Sequence, residues 1–423
     1  MRTNFASDML CDPFLAEAER NLRACVHCGI CTATCPTYVL LGDERDSPRG
    51  RIVMMQQMLE DGGTPAAETV HHVDRCLSCL GCRTACPSGV DYARLVDTAR
   101  VHIETRYRRP WRARLARAFI ARVLSRPDLA RAAVMLARIL APVATKLPGA
   151  LGKMARIAAK APRQKGRNAV PAPAGARRIA LLTGCVQPAL APQIDEAVAR
   201  ILSRRNIVLI PLEGAGCCGA LSNHLGRREE AKILAKRAIA AFERANLQAP
   251  VDAVLISATG CAAHLKDYPH LFSDDPAWKK RASAFADMIS DFSSAAEPRA
   301  AQPPRRLKIA YQAPCSLQHG LRHPGFGEAQ LRAAGFDVTD IPEGHLCCGS
   351  AGSYSILEPD IANALRARKL GNIALLDVDA VASPNIGCLM HLTGADAPPI
   401  IHPAELIDWV EGGPRPAAMP DLK

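Results

Sequence analysis

A chain of 423 residues, 48% hydrophobic but only 4% aromatic, carries apolar surface for two or three cores and favours helices packed on parallel strands over an all-β sandwich. Its 17 cysteines are too sparse and too patterned for a disulfide scaffold, and no basic, apolar leader precedes Cys11, so a reducing, cytoplasmic compartment is expected. The net charge of +12 is concentrated: Arg100 to Arg167 holds 18 Lys or Arg against Glu104 and Asp128, a local balance of +16 that leaves −4 for the rest.

Residues 1–100 read as one helical cluster-binding domain built around two cysteine runs. Cys25-Val-His-Cys28-Gly-Ile-Cys31-Thr-Ala-Thr-Cys35-Pro36 and Cys76-Leu-Ser-Cys79-Leu-Gly-Cys82-Arg-Thr-Ala-Cys86-Pro87 share the spacing C-x2-C-x2-C-x3-C-P. Three closely spaced thiolates wrap one face of a cubane, and in two-cluster ferredoxins the fourth, before Pro, serves the other cluster. That logic assigns Cys25, Cys28, Cys31 and Cys86 to one [4Fe–4S] cluster and Cys76, Cys79, Cys82 and Cys35 to the second. Zinc knuckles are the competing reading, but structural zinc pairs two short elements rather than three evenly spaced cysteines plus Pro. His27, between ligands, is a solvated or tuning side chain, and Arg51, Arg75 and Arg83 are candidate tuning charges.

Residues 101–176 read as a basic helical connector, with Leu115, Phe119, Ile120, Val123 and Leu124 as an apolar stripe at helical spacing, ending in a Pro/Ala/Arg-rich linker over Ala161 to Arg178. Every long apolar run is interrupted by Arg or Lys, so membrane contact is expected to be peripheral. The basic 106–167 segment suits an anionic membrane surface or an acidic docking partner. Nucleic acid is not expected, because no aromatic platform interleaves with the charge.

From Arg177 onward the chain repeats with a period of 130 residues: Cys185, Cys217–Cys218 and Cys261 recur as Cys315, Cys347–Cys348 and Cys388. The copies are set at 177–300 and 301–423, with Ala296 to Arg306 as the joint. Strands are expected at Ile179–Leu182, Ile207–Leu212 and Val254–Ile256, then at Ile309–Tyr311, Phe336–Ile341 and Ala380–Ala382. Helices are expected at Ala189–Ser203, Arg227–Ala245, Gly327–Ala334 and Pro359–Leu376. The fold class is therefore α plus α/β, a helical ferredoxin-like domain followed by two Rossmann-like β-α-β-α-β lobes with parallel strands. Each cysteine follows the C-terminal end of a strand, where open parallel sheets place ligands.

The eight repeat cysteines are candidate ligands of a further iron–sulfur centre, against the alternative of buried apolar thiols. His264 and His391 fall three residues after Cys261 and Cys388 and are candidate ligands or supporting donors. Cys11 fits neither pattern. Gly214-Ala-Gly216-Cys-Cys-Gly219 matches a dinucleotide-binding fingerprint, but no acidic ribose ligand closes a following strand, and the cysteines explain it better.

With this cysteine map the chain resembles the glycolate oxidase iron–sulfur subunit family, which joins a two-cluster ferredoxin domain to two cysteine-rich CCG domains. Further matching stretches are Cys35-Pro-Thr-Tyr-Val-Leu-Leu-Gly-Asp43, Ser47-Pro-Arg-Gly-Arg51, Thr183-Gly-Cys-Val-Gln-Pro188 and Cys347-Cys-Gly-Ser-Ala-Gly-Ser-Tyr354. The resemblance implies an electron-transfer subunit with no catalytic residue and no FAD of its own. It implies an FAD-containing partner that oxidises glycolate to glyoxylate and a quinone-linked acceptor at the cytoplasmic face of a membrane. Some CCG relatives use a C-x-x-C ending; His264 and His391 stand at those places here. The rival expectations are an iron–sulfur subunit for lactate or glycerol 3-phosphate, an autonomous CCG-type reductase, and a non-catalytic scaffold or redox sensor.

Overall fold

The computed structural model describes residues 1–144, 176–295, 305–323 and 325–419, with isolated positions at 152–159 and 299–303. The linker expected over 161–178 lies outside the described residues as far as 175, and the joint over 296–306 does so in part. The molecule is mixed α/β, with a helical N-terminal region and two parallel sheets.

The N-terminal region is punctuated by its own capping chemistry. Asp12 accepts hydrogen bonds from the amides of Phe14 and Leu15 to start α1 (Pro13–Ala24), which buries Phe14, Ala18 and Leu22 at helical spacing. Pro36, directly after Cys35, opens the short α2 (Pro36–Leu41), and Ser47 caps α3 (Pro48–Asp61) by accepting from Gly50. Next come α4 (Ala67–Asp74), α5 (Gly81–Thr84) and α6 (Tyr92–Arg106). Leu22, Ile52, Met55, Leu59, Leu95 and Ile103 close one core between α1, α3 and α6. The first cysteine run thus occupies the turn from α1 to α2, and the second the turn from α4 to α6.

The connector departs from its expected single apolar stripe. After α7 (Trp111–Phe119) a π-helical turn, Ile120–Leu124, re-aims the stripe before α8 (Pro127–Ile139). Ile120 is buried against Leu225 while Leu115 and Phe119 stay exposed, so the stripe is not one face. Arg117 is also buried and Arg109 half-buried, each paired with both Asp74 and Glu104. No helix among the described residues is long and apolar enough to cross a membrane.

Each repeat copy forms a four-stranded parallel sheet. In the first, β1 (Arg177–Leu181), β2 (Ile207–Pro211), β3 (Ala253–Ile256) and β4 (Ile289–Asp291) lie in the order β2-β1-β3-β4. In the second, β5 (Lys308–Tyr311), β6 (Asp337–Asp340), β7 (Ala380–Ala382) and β8 (Ile400–Ile401) lie in the order β6-β5-β7-β8. The registers correspond: Ile179 pairs with Leu209 and Ala253, and Ile309 with Val338 and Ala380. The six expected strands are present; β4 and β8, three and two residues long, add to them and precede no repeat cysteine, the signal that marks the others. The expected helix at Ala189–Ser203 is broken at Ala191, before Pro192.

The two sheets share a core. Leu181, Ile201 and Leu255 of the first copy pack in one cluster with Ile309, Ala380 and Ile407 of the second. Arg200 and Arg204 from the helix Pro192–Arg204 bind the buried Asp408 of the helix Pro403–Val410. Helix Thr259–Lys266 of the first copy meets the turn Ser316–Leu321 of the second, with Thr259 hydroxyl 2.9 Å from that of Ser316. The helix that carries Cys261 therefore meets the turn that directly follows Cys315.

Candidate metal centres

The two N-terminal runs fold alike because their backbones turn alike. The residues on either side of the second cysteine are left-handed in both, His27 and Gly29 in the first run, Ser78 and Leu80 in the second. His27 is thus a turn residue. The curled loops line two adjoining pockets. Cys25, Cys28 and Cys31 border one pocket together with Cys86, and Cys76 and Cys79 border the other together with Cys35. Cys82 borders both, and Tyr92 closes the wall between them. The structure thus places each Pro-preceding cysteine beside the opposite run.

Among the described residues, the only three or more Cys, His, Asp or Glu ligand atoms within 4.8 Å of one another belong to Asp43, Asp46 and His72. A tetrahedral zinc with bonds of about 2.3 Å needs sulfurs about 3.8 Å apart, so no cysteine group is gathered for a single ion. The wider spacing suits a polynuclear cluster. The electrostatics agree: burial and neighbouring thiolates push Cys31 up to about 11 and push Cys79 and Cys82 well above the usual thiol range. Such a set becomes thiolate when a bound cationic centre offsets the repulsion.

Asp46 itself is already satisfied. It is fully buried and bound by Arg51 at 3.1 Å, His72 at 3.0 Å and Arg75 at 2.9 Å. Arg51 is 1% exposed and spends its donors on the His72 carbonyl, Thr37, Asp46 and, at 3.8 Å, the sulfur of Cys35. Burial opposes its charge, and Cys76, Tyr92, Cys35 and Asp46 outweigh burial. The Arg75 guanidinium is held by Asp46 at 2.9 Å, and Arg83 is spent on Asp91 at 2.7 Å. Sequence reasoning missed Arg100, which donates to the Cys76 carbonyl and the Ser78 hydroxyl at 2.6 Å each; the basic count around it disguised its burial.

In the repeats the thiols form two chains of contacts. Cys185 meets Cys217, Cys217 meets Cys218, and Cys218 meets Cys261; Cys315, Cys347, Cys348 and Cys388 follow the same order. In each sheet β1 or β5 lies between the second and third strands, so the chain switches direction there and the loop cysteines converge on that crevice. Asn385 donates to the Cys388 sulfur at 3.3 Å and accepts from the Gly260 amide; its place as helix N-cap three residues before Cys388 was the available signal.

His264 and His391 occupy different settings despite their shared offset. His391 is tied to the Ala362 carbonyl at 3.1 Å, whereas Nε2 of buried His264 has no partner and burial pushes its imidazole down to about 4. Cys11 is exposed, and its thiol donates to the Ser7 carbonyl. Gly214–Gly219 forms the turn after β2, where Gly219 caps a five-residue helix.

A model described as a 4Fe-4S dicluster domain matches residues 21–90, and one described as a cysteine-rich (CCG) domain matches residues 179–266 and 309–393. The glycolate oxidase iron–sulfur subunit of Escherichia coli (strain K12) is 38% identical over 96% of this chain and 98% of its own length. The probable glycolate oxidase iron–sulfur subunit of Bacillus subtilis (strain 168) is 31% identical, covering 88% of this chain and 89% of its own. Lactate utilization protein A of an Exiguobacterium species is 29% identical over 51% of this chain.

Proposed function

The chain belongs to the glycolate oxidase iron–sulfur subunit family, and from that membership we propose that it relays electrons from a flavoprotein that oxidises glycolate to glyoxylate toward a membrane acceptor such as a quinone. The crossed placement of Cys86 and Cys35 beside the opposite runs carries this reading, since it is the ligand arrangement that two adjacent clusters require. Cys25, Cys28, Cys31 and Cys86 hold one [4Fe–4S] cluster; Cys76, Cys79, Cys82 and Cys35 hold the second. Bound there, the clusters supply one-electron acceptance and release near neutral pH.

The chain's own residues set the conditions for that chemistry. Arg51 keeps a buried positive charge against Cys35, and Arg100 fixes the carbonyl and hydroxyl flanking the second run. Tyr92 and Leu77, both buried, exclude water from the ligand loops. The division of labour follows: 1–100 for the two clusters, 101–176 as connector, 177–300 and 301–423 as Rossmann-like lobes with one strand beyond β-α-β-α-β. Cys185, Cys217, Cys218 and Cys261, and Cys315, Cys347, Cys348 and Cys388, are the ligand sets for a further iron–sulfur centre. The second set is the better placed, because Cys315 lies close enough to Cys79 to raise its thiol.

The test is the anaerobically purified native complex, followed by visible absorbance as glycolate, lactate and glycerol 3-phosphate are added in turn. Bleaching of the cluster band by glycolate is expected. Bleaching by another acid alone would move the substrate, and none by any acid, with clusters and flavin intact, would sink the hydroxy-acid role.

A further inference from the structure

Half of the large hydrophobic side chains that are exposed among the described residues lie between Trp111 and Leu140. On α7, Trp111, Leu115 and Phe119 follow one another at four-residue steps, which is one face of a helix, and Trp111 is 65% exposed. On α8 the outward face carries Leu129, Leu136 and Ile139, the last 73% exposed, and Ala130 is the helix's one buried residue. Such an apolar face exceeds the scatter of single exposed side chains that a protein surface tolerates without explanation.

Its charge identifies what covers it. Arg112, Arg114, Arg122, Arg126 and Arg131 are all exposed, and none forms an ion pair among the described residues, whereas Arg109 and Arg117 of the same segment are paired with Asp74 and Glu104. The paired arginines thus anchor α7 to the cluster-bearing region, and the free ones border the apolar face. An apolar face with an interfacial Trp and a fringe of unpaired arginines is the composition of helices that lie flat in a headgroup layer, with long basic side chains reaching the phosphates.

We propose that α7 and α8 dock this chain in the plane of an anionic lipid bilayer, with Trp111, Leu115, Leu136 and Ile139 entering the headgroup–acyl boundary and the free arginines binding lipid phosphate. This deepens the reading of a membrane acceptor by naming the surface and lipid class. Its test uses neither glycolate nor the flavoprotein, so the two fail separately.

The intact chain with its clusters is mixed with phosphatidylcholine vesicles, with and without phosphatidylglycerol, and floated through a density gradient at low and high salt. Flotation with anionic vesicles, weakened by salt and absent with neutral ones, is expected. Leu136→Glu with Ile139→Glu should abolish it, and Arg112→Glu with Arg114→Glu should lower the bound fraction about tenfold or more. Iron content and visible absorbance should stay at wild-type values, since these side chains touch no cysteine. Failure to float with anionic vesicles, equal binding to neutral vesicles, or flotation unchanged in both variants would overturn the proposal. So would loss of the flavoprotein from the purified complex on these substitutions without loss of lipid binding, which would make the face a protein interface.

Discussion

The two repeat copies share strand order, register and cysteine spacing, yet they meet the cluster-bearing region in different ways. The first copy lies along α6: Asn223 binds Asp97, Arg227 binds Glu104, and Asp267 holds Arg94 through two hydrogen bonds. The second lies against the second cysteine run: Leu77 and Cys79 pack with Cys315 and Cys347, and the Tyr354 hydroxyl donates to the Arg75 carbonyl. The thiols register the difference. In the first copy Cys217 is held low by hydrogen bonds with Cys185 and Cys218; in the second it is Cys348, by hydrogen bonds with Cys347 and Cys388 and by the charge of His391. Duplication therefore supplies the same sulfurs twice, and docking decides what surrounds them.

The sharpest test of unequal tolerance is at the glycine after each vicinal pair. Gly219 and Gly349 have φ of +86° and +91°, a conformation that costs an L-residue about 1–2 kcal/mol. A Cβ at Gly219 would meet the Ala231 carbonyl at 3.2 Å, while one at Gly349 would collide with the Ala362 carbonyl, which also anchors His391. Gly349→Ala should cost about 3 kcal/mol or more, and Gly219→Ala about 1–2 kcal/mol. Chemical denaturation reads the gap, and equal losses would refute the asymmetry.

Next in size is the first copy's grip on α6. Burial opposes the charge of Asp267, but the hydrogen bonds from Arg94 outweigh it and hold the carboxyl below its ordinary value. Because the folded pKa lies below the unfolded one, this stabilisation is present above the usual carboxylate range and is lost as pH falls through the lowered folded value. Asp267→Asn should cost about 2 kcal/mol at neutral pH, with a smaller difference from wild type in acid. A penalty independent of pH would show that the charge is not what holds the contact.

Much of this was legible in the chain because cysteine chemistry imposes spacing. The 130-residue period and the strand-then-cysteine order led to the first three strands of each copy and to the edge on which the thiols gather. What stayed hidden depends on contacts distant in sequence. Asp46 shows nothing locally of the buried network it forms with Arg51, His72 and Arg75. Arg109 and Arg117 looked like surface charge because their partners, Asp74 and Glu104, come from two other helices. The apolar stripe misled because a π-helical turn changes the angular step within it.

A smaller effect separates the thiols themselves. Asn385 donates to Cys388, whereas Ala258 occupies the matching place before Cys261 and offers no donor. Asn385→Ala should cost about 1 kcal/mol and shift the spectrum of any centre bound by the second copy, with a smaller shift in a first-copy centre, which Asn385 reaches only through the Gly260 amide before Cys261. An unaltered spectrum with iron fully retained would remove Asn385 from that site.

The smallest expected change is at Tyr354, whose ring is buried among Leu77 and Cys347 while its hydroxyl reaches the Arg75 carbonyl at 3.0 Å. Tyr354→Phe keeps the ring and removes one hydrogen bond, a loss of about 1 kcal/mol. Arg75 precedes Cys76 and also holds Asp46, and Asp46 holds the buried Arg51 beside Cys35, so loosening the Arg75 backbone reaches the second cluster's ligands both directly and through these two ion pairs. The electron paramagnetic resonance of that cluster should therefore broaden in Tyr354→Phe. Removing the Arg227 contact to Glu104, by which the first copy is docked, should leave it unchanged. Equal broadening in both variants would mean that the clusters sense docking of either copy alike.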